Sequence, residues 1–200
     1  PVIDLDAMLI GQSQQLAGIS LNPRLAKLSK LKSFPQNLEI AVEAPDQGGT
    51  FKSLHYSISQ LPDNPGYKPR LADDRVGYFT TDFKDLGLYG TETNMQRYIH
   101  RWNVEKREAK LSLSPPKEPI VFYVEHTVPV RYRRYVRDGI LQWNEAFEKI
   151  GIDNAIEVYQ QDEMTGAHMD KDPEDVRFNF IRWLNNDVST AIGPSRVNPN

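Results

Sequence analysis

The chain has 200 residues, 39% hydrophobic and 26% charged, with a formal net charge of -3. That length builds one large domain or two small ones, and the composition excludes fibrous and disordered classes. The charge balance gives no bulk attraction to nucleic acid or an anionic membrane. The absence of cysteine excludes disulfides, thiolate catalysis and cysteine zinc sites, and no apolar run is long enough to span a bilayer.

In chain order, the first element expected is a short helix. Leu25, Leu28 and Leu31 recur at helical spacing after Asn22-Pro23, which reads as a cap and first turn. Leu38, Ile40 and Val42 then alternate with Glu39, Ala41 and Glu43. After Asp46-Gln47-Gly48-Gly49, Leu54, Tyr56 and Ile58 alternate with Ser53, His55 and Ser57. Two period-two runs around a Gly-Gly turn predict a hairpin. Arg75 to Phe83 and Gln96 to Val104, rich in aromatic and β-branched residues, predict further strands. The stretch from Pro62 to Pro69, with three prolines and a glycine, reads as a loop.

Leu113-Ser114-Pro115-Pro116-Lys117-Glu118-Pro119 punctuates the chain and is read as a domain junction. Ile120 to Val124 is a continuous run of β-formers, suited to a buried central strand. A long helix follows, with Tyr132, Val136, Ile140, Trp143, Phe147 and Ile150 on one face and Gly151 as its C-terminal cap. Further strands are expected at Ile156 to Tyr159 and at Val176 to Trp183. Strand, helix, strand is a crossover unit, so part of this sheet is expected to be parallel.

The candidate chemistry is sparse. No two of His55, His100, His126 and His168 share a helical face at the spacing of an HExxH zinc motif. Each is read as structural. The loop from His168 to Asp175 is rich in possible metal ligands, but its spacing is not that of an EF-hand, and Asp172-Pro173-Glu174-Asp175 also suits an ordinary turn or helix start. Arg131, Arg133, Arg134 and Arg137 crowd the start of the long helix against its dipole, so compensation is expected from Asp138 or from the acidic loop. No Walker loop, GxGxxG or GxSxG motif is present.

Three segments in order carry a resemblance: PIVFYVEHTVPVRYRRYVRDGILQWNEAFEKIGIDNAIEV, then DPEDVRFNFIRWL, then AIGPSRVNP. Together they resemble a family of large bacterial zinc-dependent metalloproteases with a metzincin-like catalytic domain and an upstream β-rich region of unknown function. RVGYFTTDF and YIHRWNVEK resemble that upstream region. The resemblance implies an α+β chain. A β-rich accessory domain would occupy residues 1–113 and a proline-rich linker 114–119. From 120 to 200 it implies the incomplete N-terminal part of a zincin-like α/β domain, built as strand, long helix and strands.

In that family a later helix supplies the zinc-binding histidines and the Glu that activates water, and this sequence ends before such a motif. The resemblance therefore implies a zinc metallopeptidase whose cofactor, zinc, and peptide or protein substrate are engaged beyond this portion. The chain itself would be inactive, with no catalytic or metal-binding residue to assign. Ile192, Gly193, Pro194, Ser195 and Arg196 are implied, with a plain turn as the alternative, to border the substrate cleft. The location implied is secreted or cell envelope, although the chain shows no signal peptide. The competing expectation is a non-enzymatic module that binds a protein or glycan. Binding to nucleic acid is not expected.

Overall fold

A computed structural model describes residues 4–61, 63, 66–87, 89 and 94–184. The chain divides into two compact units, Pro1–Gln60 with Asp170–Asn179, and Leu61–Met169 with Phe180–Asn200.

The first unit opens with a π-helical turn at Asp6–Ile10, a short helix α1 at Ser13–Ala17 and a 3-10 turn at Pro23–Leu25. Three antiparallel strands follow in the order β1 (Lys27–Ser33), β2 (Asn37–Pro45) and β3 (Phe51–Ser59). The predicted hairpin is β2 and β3, in register from Asn37 opposite Ser59 to Pro45 opposite Phe51. Its turn is closed by the Asp46 carboxylate, which accepts from the amides of Gly48 and Thr50 at 2.9 Å each. Gly49 supplies the left-handed residue, with φ +81. The core is Leu9, Leu21, Ile40, Val42, Ala44 and Leu54. The Tyr56 hydroxyl donates to the Leu9 carbonyl at 2.7 Å and ties the opening turn to the sheet.

The expected helix through Leu25, Leu28 and Leu31 is a strand instead. Its start is as read, because the Asn22 side chain accepts from the Arg24 amide at 3.1 Å and Pro23 begins the turn. The helix stops after that single 3-10 turn, and β1 takes over at Lys27. The leucine spacing has another cause. A bulge between Leu28 and Lys30 inserts one extra residue, so Leu28 and Leu31 pair with Val42 and Ile40 on one face of the sheet. A spacing of three plus a bulge mimics a helical stripe.

In the second unit, β4 (Thr80–Lys84) and β5 (Met95–Ile99) form an antiparallel pair. Both are shorter than the runs predicted from sequence. Before β4, the Asp73 carboxylate holds the Arg75 amide at 3.0 Å and the Arg75 Nε at 2.8 Å, which turns the chain where a strand was expected. The same Asp-x-Arg device, Asp175 with Arg177 (in the first unit), precedes β8 (Asn179–Ile181) and shortens it too.

β6 (Ile120–Val124) is the centre of a sheet in the order β7-β6-β8, with β7 (Ile156–Gln160) parallel to it. The connection is the expected crossover. It comprises two helices, α2 (Val130–Leu141) and α3 (Trp143–Lys149), divided at Gln142. Ile120, Ile152, Ala155 and Ile156 form the core, with Phe122, Ile140, Phe147 and Val158 packed on it. The expected helical face is only partly right. Val136, Ile140 and Phe147 are half-buried, but Trp143 and Ile150 are 65% and 66% exposed. Asn144 takes the place facing the sheet, donating to the Ile156 carbonyl at 3.0 Å and accepting from the Ile156 amide at 2.8 Å.

Gly151 ends α3 as predicted, at φ +85 with its amide donating to the Glu148 carbonyl. Segment 114–119 is tied into this unit: Ser114 is buried, its amide donates to the Gly151 carbonyl, and Lys106 bridges to Pro116. Among the described residues no helix is long and apolar enough to cross a membrane.

Candidate functional site

The five residues expected to border a cleft, Ile192, Gly193, Pro194, Ser195 and Arg196, lie outside the described residues. The histidines are placed separately. His100 faces Thr81 Oγ1 at 2.8 Å across β4 and β5. His168 is left-handed, at φ +56, and packs its ring on Tyr123 and Tyr159. His126, just past the end of β6, lies 3.1 Å from Glu163 Oε1 and 3.5 Å from Gln161 Oε1. Among the described residues no three His, Asp or Glu side chains converge as a metal site would require.

Beside His126, Glu125 is buried and takes Arg182 Nε and Nη2 at 3.1 Å each and the Thr127 hydroxyl at 2.6 Å. Arg133 donates to the carbonyls of Val128 and His126, at 2.9 and 2.7 Å. Arg134 and Arg137 lie 3.5 and 3.3 Å from Asp138. The arginine crowding at the helix start is thus compensated by two means. Asp138 answers two of the cations, and carbonyl oxygens just before α2 answer a third.

The densest polar constellation is on the face of β1–β3 opposite the core. Alternation sends Lys30, Lys32, Asn37, Glu39, His55 and Ser57 to this side. Glu39 is buried at its centre, with the Asn37 amide, Ser57 hydroxyl and His55 Nε2 each 2.6 Å from its carboxylate. Burial raises the Glu39 carboxyl, but the hydrogen bonds from Ser57, His55 and Asn37 outweigh that and hold it below its ordinary value. Ser57 and His55 both bind Glu39 rather than each other. The serine therefore lacks the imidazole base of a Ser-His-acid triad, and the group is not that arrangement.

Residues 170–179 lie on this face. A β-turn forms at Asp172–Asp175, with the Asp175 amide donating to the Asp172 carbonyl at 3.1 Å. Lys32 Nζ meets Asp172 Oδ2 at 2.7 Å and Glu174 Oε2 at 2.7 Å, the latter without hydrogen-bond geometry. Lys30 pairs with Glu174 Oε1. Asn37, itself buried, donates to the Glu174 carbonyl at 2.8 Å and accepts from the Val176 amide at 3.2 Å. Burial raises the Glu174 carboxyl, and the paired cations Lys30 and Lys32 reverse this and lower it. Lys32 is raised, first by its bond to Asp172 and then by Glu174. The acidic loop weighed as a metal site thus folds as the turn that its Asp-Pro pair allowed, with Asp172 and Glu174 neutralised by Lys30 and Lys32.

Sequence reading missed this site. Glu39, His55 and Ser57 alternate with core residues, as any solvent-facing side of a strand does. The partners that Lys30, Lys32 and Asn37 meet on the turn lie more than 130 positions away.

A family model, Domain of unknown function (DUF5117), matches residues 3–107, just over half the chain. The chain belongs to the DUF5117 family. The DUF5117 match spans β1 to β5, so Lys30, Lys32, Asn37, Glu39, His55 and Ser57 all fall inside it, while the turn at Asp172–Asp175 falls outside. No curated protein and no solved structure matches this DUF5117 chain.

Proposed function

We propose that this chain is the N-terminal, non-catalytic portion of a zinc metallopeptidase, with its DUF5117 region as the accessory β-rich part. The observation that carries this reading is the crossover of β6, α2, α3 and β7. The residues with the protease resemblance form a parallel strand pair backed by a helix, the arrangement the resemblance implies. The described residues offer no donor set that fits zinc, so no catalytic step is assigned to them. The edge of the substrate cleft remains assigned to Ile192–Arg196 on resemblance alone, as does a secreted or envelope location.

The decisive observation is the reading frame beyond Asn200. An in-frame HExxHxxGxxH supports the peptidase, and a stop codon there sinks it. Purified chain is expected to show neither stoichiometric zinc by elemental analysis nor peptide hydrolysis. A second reading, a non-enzymatic protein-binding module, is favoured by the polar face of β1–β3, which holds a chain segment through side-chain contacts.

A further inference from the structure

The polar face of β1–β3 has three properties of a built peptide site. Its cations are in register with its ligand's anions: Lys30 and Lys32, two apart on β1, meet Glu174 and Asp172, also two apart. It also reads backbone. Asn37 bonds the carbonyl of Glu174 and the amide of Val176 with one amide group, contacts made to backbone atoms and not to the side chains at those positions. Finally, the reader is pre-set. The buried Glu39 carboxylate holds the Asn37 nitrogen at 2.6 Å, which fixes the orientation of the amide, and Glu39 is in turn held by Ser57 and His55. Apolar burial contributes little to these contacts. An ionic, backbone-reading contact of this kind can be exchanged for another carrying the same charges.

We propose that this face is a recognition site for an acidic peptide turn of the Asp-x-Glu type, and that Asp172–Val176 is its resident ligand, bound in cis. A partner chain presenting two carboxylates two residues apart competes for Lys30, Lys32 and Asn37. Glu39 is a positioning residue that acts through Asn37. The inference stands independently of the peptidase reading.

The test uses the full chain and a fluorescein-labelled synthetic peptide with the sequence of residues 168–180. In the double variant Asp172→Asn/Glu174→Gln the resident turn loses both carboxylates. The labelled peptide is expected to bind this variant saturably, at least tenfold more tightly than it binds wild type, and to weaken as salt is raised. Adding Lys30→Ala and Lys32→Ala is expected to abolish that binding. With Lys30→Glu and Lys32→Glu instead, a peptide carrying Lys at both acidic positions is expected to bind. Absence of saturable binding to a vacated variant with a native circular dichroism spectrum overturns the proposal, as does binding indifferent to the two lysines. If the vacated variant does not fold, hydrogen exchange decides the matter in wild type. Excess unlabelled peptide must accelerate exchange at the Val176 amide, and unchanged exchange overturns the proposal.

Discussion

Two glycines show how much a single residue's surroundings decide. Gly18 and Gly151 both have left-handed φ, +71 and +85. A Cβ on Gly18 meets nothing within 4 Å, whereas on Gly151 it falls 2.4 Å from the Ser112 carbonyl oxygen. Gly18→Ala should therefore cost only the conformational strain, about 1–2 kcal/mol. Gly151→Ala should cost clearly more, because backbone cannot step aside. Thermal melts of the two variants test this, and equal shifts would rule out the steric account. Glu39 is the second residue whose neighbours set its cost. Glu39→Ala leaves Asn37, Ser57 and His55 without their common acceptor. A loss of about 1–3 kcal/mol in urea denaturation is expected.

At the scale of elements, β1 and the α2–α3 crossover show where pattern reading works. The period-two runs of β2 and β3 are long and one-sided, and they fold as written. In β1 the same leucines serve a helix template and a bulged strand equally well, and pairing with β2 settles the choice. In the crossover, Asn144 lies between Ile140 and Phe147 on the side facing the sheet. No hydropathy pattern would place an amide there. Its two bonds to Ile156 make it the hook between α3 and β7, so Asn144→Ala should destabilise the chain by about 1–3 kcal/mol. Hydrogen exchange at Ile156 should accelerate more than at Phe122, whose strand keeps both neighbours. Uniform acceleration would count against a local hook.

At the scale of the whole molecule, three carboxyls and one lysine with shifted affinities lie on the sheet face and on the segment that covers it. Glu39 and Glu174 are lowered from 4.5, and Asp175, held by Arg177, is lowered from 3.8. A lowered carboxyl contributes stability that is present above its ordinary value and is lost as pH falls through the folded one. Lys32, raised from 10.5, contributes below that value and loses it as pH rises through the folded one. Stability should therefore be flat between those limits and fall on both sides. The acid limb should shrink in Glu174→Gln. Denaturation midpoints across pH check the sign, and an acid limb unchanged in that variant removes Glu174 as its source.

The hairpin with its Gly-Gly turn, the central strand β6, the parallel crossover and the cap at Gly151 were all legible from local chemistry. Each depends on neighbours close in sequence or on a long one-sided pattern. The bulge in β1, the shortening of β4 and β8, and the helical side that faces the sheet depended on partners that no periodicity names. The polar site was the least legible part. Its sheet residues repeat every second position, as solvent-facing residues do, and the acidic turn reads as ordinary loop. Only the tertiary fold brings Asp172 and Glu174 to Lys30 and Lys32, because complementarity of charge lies in space and leaves no trace in spacing along the chain.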